Sequence, residues 1–299
     1  MKIIERIRTV ANSVVGMNQR NLELIYPNNH REDYKLADDK YLAKGIMEDN
    51  CIACPKTFGT IDQIGRIAEV WEVVKEWNRL VIKPAKGAGG KGILILRKEN
   101  KQWFKGQTPI DEEQIFAHIA NIIFGIYSFG DSDRVLIEEY VQPHHFFTDI
   151  YPAGVPDFRI ILLKGIPLMA MLRLPTSASD GKANLHQGGL GIGIDIETGM
   201  LKEAYDGKQH LKNHPDSGSV ITGKRVPFWS RVMELSIETA ACFPLDYLGV
   251  DLVIDQVKGP MIMEVNVRPG LAIQIANKQG LKEAIVEYAP QFTNLQYAS

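Results

Sequence analysis

Two short apolar runs, Arg79–Pro84 and Ile93–Leu96, enclose the stretch Ala85–Gly92, in which Gly87, Gly89, Gly90 and Gly92 alternate with small residues and lysines. The order is strand, glycine loop, strand. Glycine lets a backbone close over a polyphosphate and present N–H groups with no side chain in the way. A Walker loop must continue as Gly-Lys-Ser/Thr into a helix, and a Rossmann fingerprint must also open a helix. A strand follows here, so neither fold fits. Taken alone, the loop is better read as a flexible hairpin.

Lys83 ends the first of these runs, where an ammonium group is costly unless it meets an anion. A structural salt bridge would also satisfy it. A stronger signal lies near the carboxyl end, where Leu248–Ile254 and Met261–Val267 read as two strands joined through Lys258-Gly259-Pro260. Glu264 and Asn266 share one strand face by the period-two rule, and Asp251 can face them across the hairpin. Two carboxylates and an amide oxygen on so apolar a hairpin suit a hard cation such as Mg²⁺, which also takes phosphate oxygens and water.

Composition removes several other classes. Lys plus Arg is 34 and Asp plus Glu is 36, so no basic excess exists to neutralise a nucleic acid. No apolar run approaches the roughly 20 residues that cross a bilayer. Met1–Arg6 lacks the apolar core of an export signal, which predicts a cytoplasmic protein. Three cysteines make no disulfide framework. Cys51-Ile52-Ala53-Cys54 has metal or redox spacing but no second pair, and reads as two semi-buried thiols; Cys242 reads as core. A length of 299 residues predicts two domains or one large composite unit.

The remaining elements follow from periodicity. A helix is expected near Asp38–Asp49, with Tyr41, Leu42, Ile46 and Met47 on one face. Thr60 and Gln63 have capping-box spacing ahead of a helical pattern through Ile61, Ile64, Ile67, Trp71, Val74 and Trp77. Thr108-Pro109 reads as a helix start running through Ile115, Ile119, Ile122 and Ile123. Val135–Val141 is a strand. Phe158–Leu163 and Pro167–Leu174 form a hairpin about Lys164-Gly165-Ile166, Asp180–Gly193 a polar loop, and Phe228–Phe243 an amphipathic helix. Strands in hairpins with helices between them give an α+β class.

The glycine loop, the strand-end lysine and the final Asp…Glu-x-Asn hairpin, in this order, resemble the ATP-grasp superfamily from about Asp38 to Ala276. Within it the chain looks most like α-L-glutamate ligase-like proteins, the sugar-transfer-associated ATP-grasp proteins and relatives of the ribosomal-protein glutamate ligases. The supporting strings are Asp39-Lys40 with Pro55-Lys56-Thr57, Asp157-Phe158-Arg159, Asn184-Leu185-His186-Gln187-Gly188-Gly189, and Met263-Glu264-Val265-Asn266 with Pro269-Gly270. The resemblance implies an ATP-grasp fold: two α+β subdomains, 38–141 and 142–299, clasping a nucleotide, after a short 1–37 segment in place of a full amino-terminal domain.

By the same resemblance, Lys40 and Lys83 contact ATP phosphates, and Gly87, Gly89, Gly90, Lys91 and Gly92 close over them. Glu138, Glu139, Tyr140 and Val141 form a hinge for adenine, although a plain edge strand would carry the same residues. Lys182 and Asn184 match positions near the γ-phosphate. Arg159 and Arg173 are candidates for holding an acyl phosphate, with surface pairing an equal alternative for each. Arg268 is a candidate for a substrate carboxylate or a turn brace. Asp251, Glu264 and Asn266 would hold Mg²⁺ or Mn²⁺. His144 and His145 would lie beside the nucleotide, and His186 would brace its loop. Lys182 and Gln187 stand where related ligases have arginine, so glutamate specificity does not carry over.

The implied activity is an ATP-dependent carboxylate–amine ligase, glutamate ligase-like, passing through an acyl phosphate. Its partners would be a small-molecule or peptide carboxylate and an amine, with no nucleic acid or membrane, and a homodimer or a complex with a neighbouring protein as assembly. An ATP-grasp kinase and a nucleotide-binding subunit with little turnover are the alternatives.

Overall fold

The computed structural model describes residues 13–87, 89–179 and 181–293. Met1–Arg6, Ala88 of the glycine loop and Asp180 lie outside them. The chain divides into two units. The smaller comprises Asp39–Gly45 and Cys54–Val141; the larger holds the described residues up to Asp38, Ile46–Ala53, and those from Gln142 onward.

In the smaller unit, strands β1 (Thr57–Ile61), β2 (Arg79–Pro84), β3 (Leu94–Glu99), β4 (Gln102–Lys105), β5 (Thr108–Ile110) and β6 (Val135–Glu139) form one antiparallel sheet in the order β1-β6-β2-β3-β4-β5. The helices Ile67–Val74 and Glu112–Ile123 supply Ile67, Trp71, Val74, Ile115, Ile119 and Ile122 to a core closed by Leu80, Ile82, Leu96 and Ile137 from the strands. Every one of these is a position that apolar periodicity selects.

Two helix starts expected from the sequence are strands instead. Thr60 pairs with Leu136 inside β1, so its backbone belongs to a ladder and cannot cap the helix, which begins at Ile67. Thr108 and Pro109 lie in β5, the sheet edge where a missing N–H is tolerated. Asp111 caps the following helix: its carboxylate accepts from Gln114 N at 2.8 Å, and Gln114 Oε1 accepts from Asp111 N at 3.1 Å. Ile64 and Trp77, read as part of the helical stripe, are exposed, and Trp77 stacks on Phe58 with centroids 4.2 Å apart.

The larger unit is built on β7 (Asp157–Leu163), β8 (Ile166–Leu174), β9 (Leu190–Ile194), β10 (Leu201–Tyr205), β11 (His210–Leu211), β12 (Tyr247–Asp255) and β13 (Gly259–Asn266), in the order β11-β10-β9-β8-β7-β12-β13. All pairs are antiparallel. The helix Trp229–Ala241 packs on β12, β13, β7 and β8. The stretch read as a polar loop ends in β9, a fully buried strand. Its glycines hide it from propensity but admit the helix Ala272–Asn277: a Cβ on Gly193 would stand 2.5 Å from the Ala276 carbonyl oxygen.

The expected helix at Asp38–Asp49 is two, Lys35–Asp38 and Lys40–Asp49, and it buries Ala43 and Met47 while Tyr41 and Leu42 are exposed. Residues 46–53 group with the larger unit because the Ala53 carbonyl accepts from Ile262 N at the free edge of β13. The segment before Asp39 does not stand apart either. Gln274 Oε1 accepts from Val15 N and its Nε2 donates to Val15 O, at 2.9 and 3.0 Å. Asn29 bonds both backbone groups of Tyr247. Cys51 is exposed, and Cys242 is half-buried at a helix end, its thiol donating to Glu238 O. Among the described residues no helix is long and apolar enough to cross a membrane.

Candidate functional site

In the larger unit, register brings the charged residues of four strands into one row. Arg173 on β8 pairs with Asp157 on β7; two residues along β7, Arg159 pairs with Asp251 on β12, which pairs with Glu264 on β13. Directly opposed residues share a sheet face, so this row lies on one face with Asn266. Arg159 donates from Nε and Nη2 to Asp251 Oδ1 and Oδ2, at 2.8 and 2.6 Å. Arg173 forks onto Asp157 and also donates from Nη2 to Asp251 Oδ2 at 2.7 Å. Two guanidinium groups therefore meet two carboxylates in a half-buried to buried layer, a geometry that bidentate arginine favours.

The row splits the behaviour of its two aspartates. Burial would raise the Asp251 carboxyl, but the Arg159 and Arg173 charges outweigh it and hold it well below the usual range. Asp157 is pushed up to about 6, by burial first and with the neighbouring Asp251 charge adding to it, against the pull of Arg173. A raised folded value means that the Asp157 contribution to stability is present below the unfolded value near 3.8 and is lost as pH rises through about 6. A ¹³C-carboxyl NMR titration should show Asp157 changing near pH 6 while Asp251 stays ionised down to pH values at which free aspartate is protonated. Titration of both near 4 would contradict this split.

A β-bulge falls between Asp251 and Leu252, leaving Met263 unpaired and shifting the phase of β13. Glu264 and Asn266 thereby lie on the Asp251 face while Ile262 pairs with Leu252 on the other. Asn266 Nδ2 approaches Glu264 Oε1 at 3.5 Å. Among the described residues no three His, Cys, Asp or Glu groups converge as a metal set, so the Asn266 amide oxygen is needed to complete one. Asp251 accepts three guanidinium N–H bonds, which leaves one of its roughly four acceptor positions. The donor chemistry of Asp251, Glu264 and Asn266 thus fits a hard divalent cation.

In the smaller unit, Glu138 is buried with both oxygens facing ammonium groups, Lys83 Nζ at 2.7 Å and Lys44 Nζ at 3.2 Å. Burial would raise the Glu138 carboxyl, but Lys83 and then Lys44 bring it below its ordinary value. Lys44 also donates to the Pro55 carbonyl. Lys40 donates from Nζ to Gly87 O at 2.6 Å, and its backbone N to Ala85 O at 2.9 Å, so it meets the base of the glycine loop. Gly89, Gly90 and Gly92 all have positive φ, between 64° and 78°. Asp133 accepts from Ser128 and from Lys86 N, and His118 Nε2 bonds the Gly92 carbonyl at 2.9 Å, so the loop is anchored at both ends. Glu139 accepts from Lys56 N at 2.8 Å, Tyr140 lies under the Arg79 guanidinium, and Val141 is buried.

Other expected residues stand outside these groupings. Lys182 is exposed, and the Asn184 side chain caps the turn Leu185–Gln187 by accepting from His186 N, so Asn184 braces the loop that His186 was expected to brace. Arg268 is exposed, bonded to Asp38 at 3.1 Å and stacked over Tyr34. His144 and His145 have ring centroids 4.1 Å apart, and burial lowers the His144 pKa. Lys44 was missed in the sequence, although it follows Lys40 by four residues and so shares its helix face. Asp157 was quoted in a motif without a role.

The sugar-transfer associated ATP-grasp family model matches residues 19–288. No curated protein matches the chain. Among solved structures, biotin carboxylase from Campylobacter jejuni in a β,γ-ATP complex is 14% identical over 82% of this chain and 43% of its own, with a TM-score of 0.51. D-alanine–D-alanine ligase from Bacillus anthracis is 16% identical over 86% of this chain and 69% of its own, with a TM-score of 0.46. Such identities concern the fold alone. With its antiparallel sheets and their intervening helices, and with the family model covering most of its length, this chain belongs to the sugar-transfer associated ATP-grasp family.

Proposed function

We propose that the protein is an ATP-dependent carboxylate–amine ligase, of the acid–amino-acid type and glutamate ligase-like in its motifs. The observation that carries this reading is the charged row Arg173–Asp157, Arg159–Asp251–Glu264 with Asn266 beside it. Lys40, Lys83 and the Gly87–Gly92 loop would bind the polyphosphate, and the Glu139–Val141 backbone the base. Mg²⁺ or Mn²⁺, held by Asp251, Glu264 and Asn266, would neutralise charge developing on the phosphates.

A substrate carboxylate oxygen would bond to the γ-phosphorus as the bond to the bridging oxygen of ADP breaks. An amine would then add to the acyl carbon, phosphate would leave, and the ammonium proton would pass to solvent or to Asp157, whose value near 6 suits that task. Arg159 and Arg173 would stabilise the negative charge of the tetrahedral species. The anchored glycine loop would keep water from the acyl phosphate. Small-molecule or peptide substrates, a homodimer or a partnered assembly, and cytoplasmic residence are parts of the same proposal.

The test is ADP release with MgATP, hydroxylamine and a panel of carboxylic acids. ADP together with a hydroxamate for one acid supports the ligase. ADP without hydroxamate favours a kinase, and nucleotide binding without ADP favours a non-catalytic subunit. Glu264→Gln should lower ADP release by about a hundredfold or more while circular dichroism and melting stay near wild type, because the swap is isosteric and the side chain is only half-buried.

A further inference from the structure

Among the described residues, Arg20 is a guanidinium only 7% exposed with no carboxylate partner. It opens the helical turn Arg20–Ile25. Its Nε and Nη2 donate to Asn21 Oδ1 at 3.2 and 3.0 Å, and its Nη1 donates to Pro269 O at 3.0 Å. All these acceptors are neutral. Arginine carries five N–H groups, so two are left over. Burying an uncompensated charge is costly, and burial here draws the guanidinium pKa down. A brace between Asn21 and Pro269 would need only neutral donors, so neither the charge nor the spare N–H groups are explained by those bonds.

A second unexplained group is nearby. Tyr247 is wholly buried, and its hydroxyl has no hydrogen-bond partner. Burial pushes the Tyr247 phenol up, and the Arg20 charge lies close enough to offset part of that. Tyr247, Gly249 and Asp251 alternate onto one face of β12. Pro269 packs on Gly249, where a Cβ would stand 2.6 Å from the proline Cβ. Arg20 and Tyr247 therefore border the face that carries Asp251, Glu264 and Asn266, and Tyr247 is about 13 Å from Asp251 along the strand.

We propose that Arg20 and Tyr247 receive a second, remote carboxylate of the acid substrate, which makes that substrate an extended dicarboxylate. A carboxylate would supply the missing charge, take the two spare guanidinium N–H groups and accept from the phenol. This rests on the ligase reading for its chemistry but not for its binding.

The experiment compares glutarate, adipate and pimelate with their monoamides in the hydroxamate assay, and measures pimelate binding by calorimetry without nucleotide. Wild type should prefer the dicarboxylate over its monoamide by about ten- to a hundredfold in kcat/KM, the range for a charged hydrogen-bonded contact. Arg20→Met should erase that preference, and Tyr247→Phe, which removes only one hydroxyl, should reduce it several-fold. A purely structural Arg20 would lower activity toward both acids and leave the ratio unchanged, which would overturn the proposal. If no acid yields ADP, the ligase reading fails and calorimetry decides this one. Pimelate binding weakened at least tenfold in Arg20→Met upholds it; no binding to wild type refutes it.

Discussion

Asp251→Asn is expected to destabilise the protein by about 3–5 kcal/mol, the range for breaking a buried ion pair from one side. Asp251 is almost fully buried and accepts three N–H bonds from Arg159 and Arg173. The amide would take from Arg159 and Arg173 the carboxylate that they share. ADP release should fall by about a thousandfold, since the same change disarms both arginines and removes a metal donor. Urea unfolding measures the first effect and coupled ADP detection the second. The double variant Asp251→Asn/Arg159→Met should recover part of the stability by removing one stranded charge, but none of the activity. Full stability in the single variant would mean that the four-strand charged row does not hold the sheet together.

Glu138→Gln should cost a similar amount, about 3–5 kcal/mol, for the converse reason. It leaves the Lys83 and Lys44 ammonium groups facing a neutral amide in a site where all three side chains are buried. Because Glu138 is ionised well below neutrality, wild-type stability from this group is present above the unfolded carboxyl value and is lost as pH falls through the lower folded one. The variant should lack that acid dependence. Combining it with Lys44→Met should restore part of the stability, and denaturant melts at pH 7 and pH 4 separate these outcomes. Unchanged melts would show that Lys83 and Lys44 find water instead.

Local pattern made much of this legible. The run Arg79–Pro84 is a strand with the bounds its β-rich composition indicates, and the period-two rule puts Glu264 and Asn266 on one face, but the bulge at Met263 is what turns that face to Asp251. What failed was local chemistry that tertiary structure outvotes. Thr60 has capping spacing, yet β6 recruits its backbone into a ladder. Leu190–Ile194 alternates glycine with apolar residues and reads as a loop until a helix far along the chain demands that bareness. The pairing of Arg159 and Arg173 with Asp251 spans 92 and 78 residues, so two arginines that could be surface pairs become one neutral cluster only when register is known. Nothing near Arg20 or Asn29 points to Pro269 or Tyr247, and no periodicity links them.

The amino-terminal stitches also impose an order of assembly on the growing chain. Val15, Arg20 and Asn29 meet partners 259, 249 and 218 residues downstream. On a ribosome that interval amounts to roughly ten seconds or more of translation, during which these three residues lack those distant partners. The stretch Cys54–Val141, whose strands pair among themselves, is complete long before then and can mature first. The turns around Val15, Arg20 and Asn29 are thus locked later than much of the chain that follows them, after the far hairpin has formed.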